Sequence, residues 1–203
     1  NITFNNIEVN NSNSFNLISS GNIKIQRNES EFFKILPYFH LYTQEPALAK
    51  TESWKTRGDI TFTSGKDIIS QGIKYNSDKA ITFNAGQDIF LASKPIKEAD
   101  PFFSDIHYPQ LQSKLFSDNN LILNAARDID LSSTVLNSKD KVIVLAGRNI
   151  KLGANAYSAI KDPHEDSQDI QYATSAITGN KGISIASSGT LITEGSSFKS
   201  EGD

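Results

Sequence analysis

Large apolar and polar residues alternate along this chain in a segment that recurs six times. The copies begin at Phe15, Ile60, Ile81, Leu121, Val142 and Ile183. In every copy the first and third positions are large and apolar, a period of two that indicates a strand with one buried face. The starts are separated by 45, 21, 40, 21 and 41 residues, so a 21-residue unit alternates with the same unit enlarged by 19 to 24 residues.

Each copy also contains a corner and a second strand. Small residues such as Ala85 and Gly86 form the corner, which leaves little room for side chains and where glycine can take a positive φ. Asp88 follows, and a short side chain of this kind bonds nearby backbone in turns. The second strand then begins at an apolar residue, which is Ile89 in this copy.

A third strand precedes each copy. Six residues before every start stands an apolar residue, and these residues are Val9, Trp54, Tyr75, Leu115, Leu136 and Ile177. This spacing stays constant although the units differ in length, so the additional residues leave after the second strand and return before the third. We expect three insertions, at about residues 29–53, 92–114 and 153–176.

Three short strands in a 21-residue repeat predict an all-β fold, a right-handed parallel β-helix of about six to seven coils with longer insertions in alternate coils. One coil buries too few large side chains to offset the entropy of ordering its backbone, so coils must stack. We expect residues 1–203 to be a single β-helical segment of a larger exoprotein, adjoining further coils of the same polypeptide. The chain contains no methionine, which supports this expectation.

Composition narrows the classes of partner. The formal net charge is -3, so the chain lacks the basic field that attracts nucleic acid. Without cysteine, no disulfide framework or thiolate site can form. No motif indicates a cofactor. No apolar run reaches the roughly 18 residues of a membrane span.

The segments "FNAGQDIFL", "LNAARDIDL" and "VLAGRNIKL" resemble the haemagglutinin repeats of filamentous-haemagglutinin-type exoproteins, which include the contact-dependent growth inhibition exoproteins of Gram-negative bacteria. The resemblance implies a secreted or cell-surface filament that leaves the cell through an outer-membrane two-partner secretion transporter. It also implies adhesion or contact-dependent toxin delivery, through a receptor or glycan on a host cell or neighbouring bacterium. The chain has no Asn-Pro-Asn motif of a secretion domain, so it is similar to an interior repeat segment.

The triplet Arg57, Gly58 and Asp59 has two interpretations. It could be an integrin-type ligand loop. It also occupies the turn between the third strand of one coil and the first strand of the next, where another copy has Lys79 and Ala80. We favour the structural turn, because it explains the glycine and the aspartate without a receptor.

The insertions concentrate aromatic residues, and function usually lies on loops held by a rigid scaffold. The candidate binding residues are Phe32, Phe33, Tyr38, Phe39, Tyr42, Phe102, Phe103, Tyr108, Tyr157 and Tyr172. They could pack over the outside of the coils, or they could form a contact patch for a partner. Because the insertions leave the same corner of alternate coils, we expect their roots to form a row.

Metal binding and catalysis find less support. His40, His107 and His164 stand in separate insertions and lack local ligand spacing, so we predict no metal site. Aspartates at the corners alternate with Arg127 and Arg148, which indicates a solvent-facing column of charges. No nucleophile with its base is apparent, so we predict that the chain is not an enzyme.

Three functions remain as alternatives. The chain could be a structural and adhesive filament segment, which we favour. It could be a receptor-binding segment that acts through the aromatic insertions. It could also be a carbohydrate-active enzyme, because a β-helix can carry paired carboxylates in a groove.

Overall fold

The computed structural model describes residues 1–5, 7–26, 53–97, 107–160 and 168–201. In chain order the strands are β1 (Ile2–Asn5), β2 (Val9–Asn11), β3 (Phe15–Ser19), β4 (Ile23–Gln26), β5 (Ser53–Thr56), β6 (Ile60–Ser64), β7 (Ile68–Gln71), β8 (Lys74–Ser77), β9 (Ile81–Ala85), β10 (Ile89–Phe90), β11 (Lys94–Lys97), β12 (His107–Leu111), β13 (Ser113–Ser117), β14 (Leu121–Ala125), β15 (Ile129–Asp130), β16 (Thr134–Ser138), β17 (Lys141–Ala146), β18 (Ile150–Leu152), β19 (Asn155–Ile160), β20 (Gln168–Ala173), β21 (Ser175–Gly179), β22 (Gly182–Ser187), β23 (Leu191–Thr193) and β24 (Ser196–Ser200). No helix among these residues is long and apolar enough to cross a membrane.

Twenty of these strands form three parallel sheets, and the other four form two antiparallel pairs. Sheet 1 has the order β1, β4, β7, β10, β15, β18 and β23; sheet 2 has β2, β5, β8, β13, β16, β21 and β24; sheet 3 has β3, β6, β9, β14, β17 and β22. Each full coil passes from sheet 2 to sheet 3 to sheet 1. The chain is therefore a parallel β-helix, as the repeat predicts.

Repeated positions of the sequence lie above one another in the stack. Phe62 pairs with Phe83, and Leu123 pairs with both Phe83 and Val144. All four side chains point inward and are fully buried. The alternating residues, such as Thr61, point outward and are partly exposed. A period of two within a strand thus becomes a column of apolar side chains along the axis of the helix.

The core changes in character along that axis. In the first coils it is aromatic: Phe62 and Phe83 stack with ring centres 4.5 Å apart, and Trp54 meets Phe62 edge-on at 5.4 Å. In the later coils it consists of leucine, isoleucine and valine. The polar atoms of the aromatic part are paired, because Trp54 Nε1 donates to the Ile7 carbonyl at 3.1 Å and the Tyr75 hydroxyl lies 2.7 Å from Ser70 Oγ.

Glycines at the corner between sheets 3 and 1 are required by close stacking. A Cβ at Gly86 would collide with the carbonyl oxygen of Gly65, and one at Gly147 with that of Ala126. None of these corner glycines has a positive φ; the described glycines that do are Gly72, Gly182 and Gly195. Positive φ is therefore not the reason for glycine here; the close approach of the next coil confirms that this corner leaves little room for side chains.

The Asn and Asp residues of the same corner join one coil to the next. Their side-chain Oδ1 atoms accept hydrogen bonds from the main-chain N–H of the equivalent residue one coil further on, at 2.8 to 3.2 Å. Acceptor and donor are Asn1 and Asn22, Asn22 and Asp67, Asp67 and Asp88, Asp88 and Asp128, Asp128 and Asn149, and Asn149 and Thr190. We call this column of bonds the corner ladder. It satisfies main-chain donors that the sheets leave unpaired at the corner.

The corner ladder predicts different effects for two substitutions at Asp67. Asp67→Asn should change the free energy of unfolding by no more than about 0.5 kcal/mol, because the amide oxygen can still accept from the Asp88 N–H. Asp67→Ala should destabilise the chain by about 1 to 2 kcal/mol, since that N–H loses its acceptor. Urea unfolding of both variants measures the difference, and equal stability would contradict the structural role of the ladder.

Candidate functional site

The second and third insertions are antiparallel hairpins that leave the β-helix at one corner. β11 pairs with β12, with Ile96 opposite Tyr108, and β19 pairs with β20, with Tyr157 opposite Gln171. They follow β10 and β18, which are separated in sheet 1 by the single strand β15. Two steps between parallel strands place the hairpin roots about 9 to 10 Å apart.

The two hairpins lie side by side. They form separate two-stranded sheets, and β12 and β19 approach with Cα atoms within 8 Å of each other. The Gln112 side-chain amide donates to the Thr174 carbonyl at 3.0 Å, which joins the end of the first hairpin to the end of the second. We call the four strands of these two hairpins, residues 94–97 with 107–111 and residues 155–160 with 168–173, the hairpin platform.

Ser133 anchors the platform to the coil between the two hairpins. Its hydroxyl donates to the Ala173 carbonyl at 2.6 Å and accepts from the Asn155 N–H at 2.9 Å, so it binds both strands of the third insertion at their base. The Asn155 side chain also donates to Ser93 Oγ at 3.0 Å, where the second insertion begins. Ser133 has a φ of 55°, the one positive φ among the described residues other than glycine.

A column of hydroxyls supports the same corner from inside. Ser175 Oγ lies 2.7 and 2.6 Å from the carbonyl oxygens of Leu131 and Gly153 and can donate its one proton to either, and Thr134 Oγ1 donates to the Leu91 carbonyl at 2.8 Å. The sequence contains a signal for this column, because a hydroxyl residue stands two places before the inward apolar residue of β13, β16 and β21. The repeat pattern alone predicts neither this column nor the hairpins nor the role of Ser133.

The predicted aromatic binding residues fall into three groups. Tyr172 lies in β20 and its residue is 62% exposed, so it is open to a partner. Tyr108 lies in β12 and Tyr157 in β19, the two strands that face each other in the platform. The remaining candidates lie outside the described residues: Phe32, Phe33, Tyr38, Phe39, Tyr42, Phe102 and Phe103.

Arg57, Gly58 and Asp59 form a corner between sheets 2 and 3 in which the main chain is engaged by the neighbouring coils. The Asp59 carboxylate accepts from the Ala80 N–H at 3.0 Å, and the Asp59 N–H donates to Ser14 Oγ at 3.0 Å. A Cβ at Gly58 would collide with the backbone of Ser14. Stacking of coils therefore accounts for the glycine and the aspartate, while the Arg57 side chain is exposed.

Two carboxylates of the corner ladder bind arginines of the following coil. Arg127 donates to both oxygens of the buried Asp88, with Nε 3.1 Å from Oδ1, and Arg148 does the same to Asp128 at 2.8 Å. These bonds lower the pKa of Asp88 against the opposing effect of its burial, and lower the pKa of Asp128 from 3.8 to about 2. The predicted column of charges exists. The Asp88 residue, however, is buried within this column and does not face solvent.

The direction of the pKa shifts of Asp88 and Asp128 indicates what chemistry these two carboxylates can perform. A general acid needs a raised pKa, so that it holds a proton at neutral pH, whereas both shifts here are downward. Among the described residues, no group of three histidine or acidic side chains is placed to hold a metal ion.

Comparison with protein-family models, curated proteins and solved structures gave no match to this chain.

The anchor at Ser133 can be tested with a pair of substitutions. Ser133→Ala and Ser133→Gly both remove the bonds to Asn155 and Ala173, so hydrogen exchange should accelerate in residues 153–160 and 168–175. Only alanine keeps a side chain at positive φ, and we expect it to be less stable than the glycine variant by about 1 kcal/mol. Ser184→Ala, at an exposed position of β22, is the control; unchanged exchange in the Ser133 variants would contradict the anchor.

The arginine pairs predict a loss of stability in acid. Because the pKa of Asp128 is lower in the folded state, its ion pair contributes stability above the ordinary pKa, and that contribution is lost as the pH falls from about 5 towards 2. Asp128→Asn and Arg148→Gln should each reduce the fall in the free energy of unfolding between pH 6 and pH 2. Urea unfolding across this range measures it, and parallel curves for all three proteins would show that the pair has no such role.

Proposed function

We propose that this chain is a structural and adhesive segment of a secreted β-helical filament on the surface of a Gram-negative bacterium. In this proposal the coils act as a rigid spacer, and the hairpin platform makes contact with a receptor or glycan on a host cell or a neighbouring bacterium. The parent chain would reach the surface through a two-partner secretion transporter and function in adhesion or contact-dependent toxin delivery.

One observation carries the proposal. Two insertions leave the helix at the same corner, lie side by side, and are tied to each other and to the coil between them. The hydrogen bonds at the base of the hairpins hold them in one orientation. This restraint reduces the conformational entropy that is lost when the hairpins bind a partner. A spacer alone would gain nothing from such an anchor.

Tyr172 favours the more specific form of the proposal, in which the platform recognises a receptor. It is a large aromatic residue, 62% exposed, on a strand with a fixed register. Tyrosine supplies apolar contact area together with a hydroxyl at little cost in side-chain entropy, and it is enriched in interface cores. We propose that it lies within the contact surface.

Cell binding tests this function. The labelled chain should bind epithelial cells or Gram-negative bacteria saturably, and a variant in which short turns replace residues 94–111 and 155–173 should lose that binding. Tyr172→Ser should weaken it roughly tenfold, on the scale of a buried interface aromatic. Far-UV circular dichroism must first show that both variants keep the β-rich spectrum of the parent.

Two controls separate the alternatives. Arg57→Ala changes the exposed residue of the Arg-Gly-Asp corner without removing the Asp59 bond to the next coil, and it should bind as the parent does. Loss of binding in this variant would favour an integrin-type loop instead of the platform. Equal binding by the parent and the variant without hairpins would contradict the proposed contact surface.

A further inference from the structure

The outer face of sheet 2 carries lysines beside the hairpin platform that form no ion pair with any described residue. Lys55 in β5, Lys74 in β8 and Lys114 in β13 all point outward, between inward residues of the same strands. Lys74 and Lys114 are direct neighbours in register across parallel strands, and their Cα atoms are therefore about 4.8 Å apart. We call Lys55, Lys74, Lys114 and the adjacent Phe116 the basic face.

Among the residues that the structure describes, no carboxylate neutralises the positive charge of the basic face. Ion pairs hold Lys139, Lys181, Arg127 and Arg148 elsewhere on the coils, whereas within the described part of the chain no carboxylate pairs with the three lysines of this face. The outward residues of β5, β8, β13 and β16 include no Asp or Glu. Like charges directly opposite each other in a sheet repel, so two adjacent lysines raise the energy of the chain until an anion lies between them.

Phe116 adds an apolar surface to these charges. It points outward from β13, two residues after Lys114, and its ring is partly exposed. The Lys74 ammonium lies 5.3 Å from the centre of that ring, and this cation–π contact directs the charge over the aromatic surface. A ligand that uses the whole face needs anionic groups for the lysines and a flat, weakly polar surface for the ring.

We propose that the basic face binds an acidic polysaccharide. Sulfate or carboxylate groups would bridge Lys74 and Lys114, and the C–H side of a sugar ring would pack on Phe116. This inference rests on the proposed adhesive function, and it names the class of partner that the basic face binds. The face is continuous with the hairpin platform, because β13 begins two residues after β12 ends, so one extended chain can touch both.

The charge distribution argues for a polysaccharide over nucleic acid. The whole chain has a net charge of -3, and the basic face is a local patch with the Asp78 carboxylate beyond its far end. A duplex presents a dense and wide array of phosphates, which an acidic chain with one small basic patch does not attract. A single polysaccharide chain can lie along the lysines of this patch alone.

Matched polymers test the proposal with the intact chain. Calorimetric titration at about 0.15 M salt would compare dextran sulfate, neutral dextran of the same length, and poly-glutamate as a polyanion without sugar rings. The variant Lys74→Gln/Lys114→Gln removes the central charges. Lys139→Gln/Lys181→Gln removes two lysines that are paired with Asp118 and Asp140 at another corner, and gives the same net charge.

We expect the parent chain to bind dextran sulfate saturably and not to bind neutral dextran. The central double variant should bind roughly tenfold more weakly, since each exposed charge contact is worth a small factor, and the matched control should stay within about twofold of the parent. Phe116→Ala should weaken binding of dextran sulfate but leave binding of poly-glutamate unchanged. Circular dichroism verifies that each variant is folded.

Other results would overturn the inference. No binding of dextran sulfate, or equal weakening in both double variants, would exclude the basic face as the site. Equal affinity for poly-glutamate, with no effect of Phe116→Ala, would show attraction to any polyanion and no recognition of sugar. If the central double variant binds dextran sulfate as tightly as the parent does, while cell binding still depends on the hairpins, the inference fails and the proposed function stands. If that variant loses dextran sulfate binding but the parent binds no cells, the proposed function fails and the inference stands.

Discussion

Every coil of this protein must present its main-chain donors and acceptors to the next coil at the spacing of hydrogen-bonded strands. The sheets meet this demand along their length, but the corners do not, and an unpaired N–H there would cost free energy at each step of the stack. The corner ladder supplies the missing acceptors from Asn and Asp side chains. Gly86 and Gly147 permit the approach that brings these groups within reach.

This constraint explains why the fold could be predicted from the sequence while several of its contacts could not. Inward residues such as Phe62, Phe83 and Leu123 must recur at one period to form a column, so the period alone reveals the three sheets. The role of Asp67 is different, because a turn within one coil and a bond to the next coil require the same residue type. Spacing along the chain cannot distinguish a local contact from one that closes over 21 residues.

The sequence predicts a corner from which insertions leave the coils, but it does not predict their hairpin form. The constant spacing before each copy identified the corner from which the insertions leave, and the structure places two hairpins there. Their pairing depends on contacts between segments that have no repeat to reveal them, and the anchor depends on a single serine in an otherwise ordinary connection. The aromatic residues in the insertions predict a surface for binding a partner. Among these residues the structure describes the side chain of Tyr172, which is exposed.

The separation between coil and insertion has a consequence for how such a chain can diverge. Closing a longer loop costs only about 0.6 kcal/mol for each doubling of its length, so an insertion can grow or change with little effect on the stack. A change in the corner ladder, in contrast, removes a bond between two coils and weakens the stack at that step. The lysines of the basic face occupy outward positions, free of the packing that fixes Tyr75 and Leu115 beside them. Recognition can therefore be altered on the hairpins and on the outer faces of the sheets, while the inward columns and the corners keep the register that positions both.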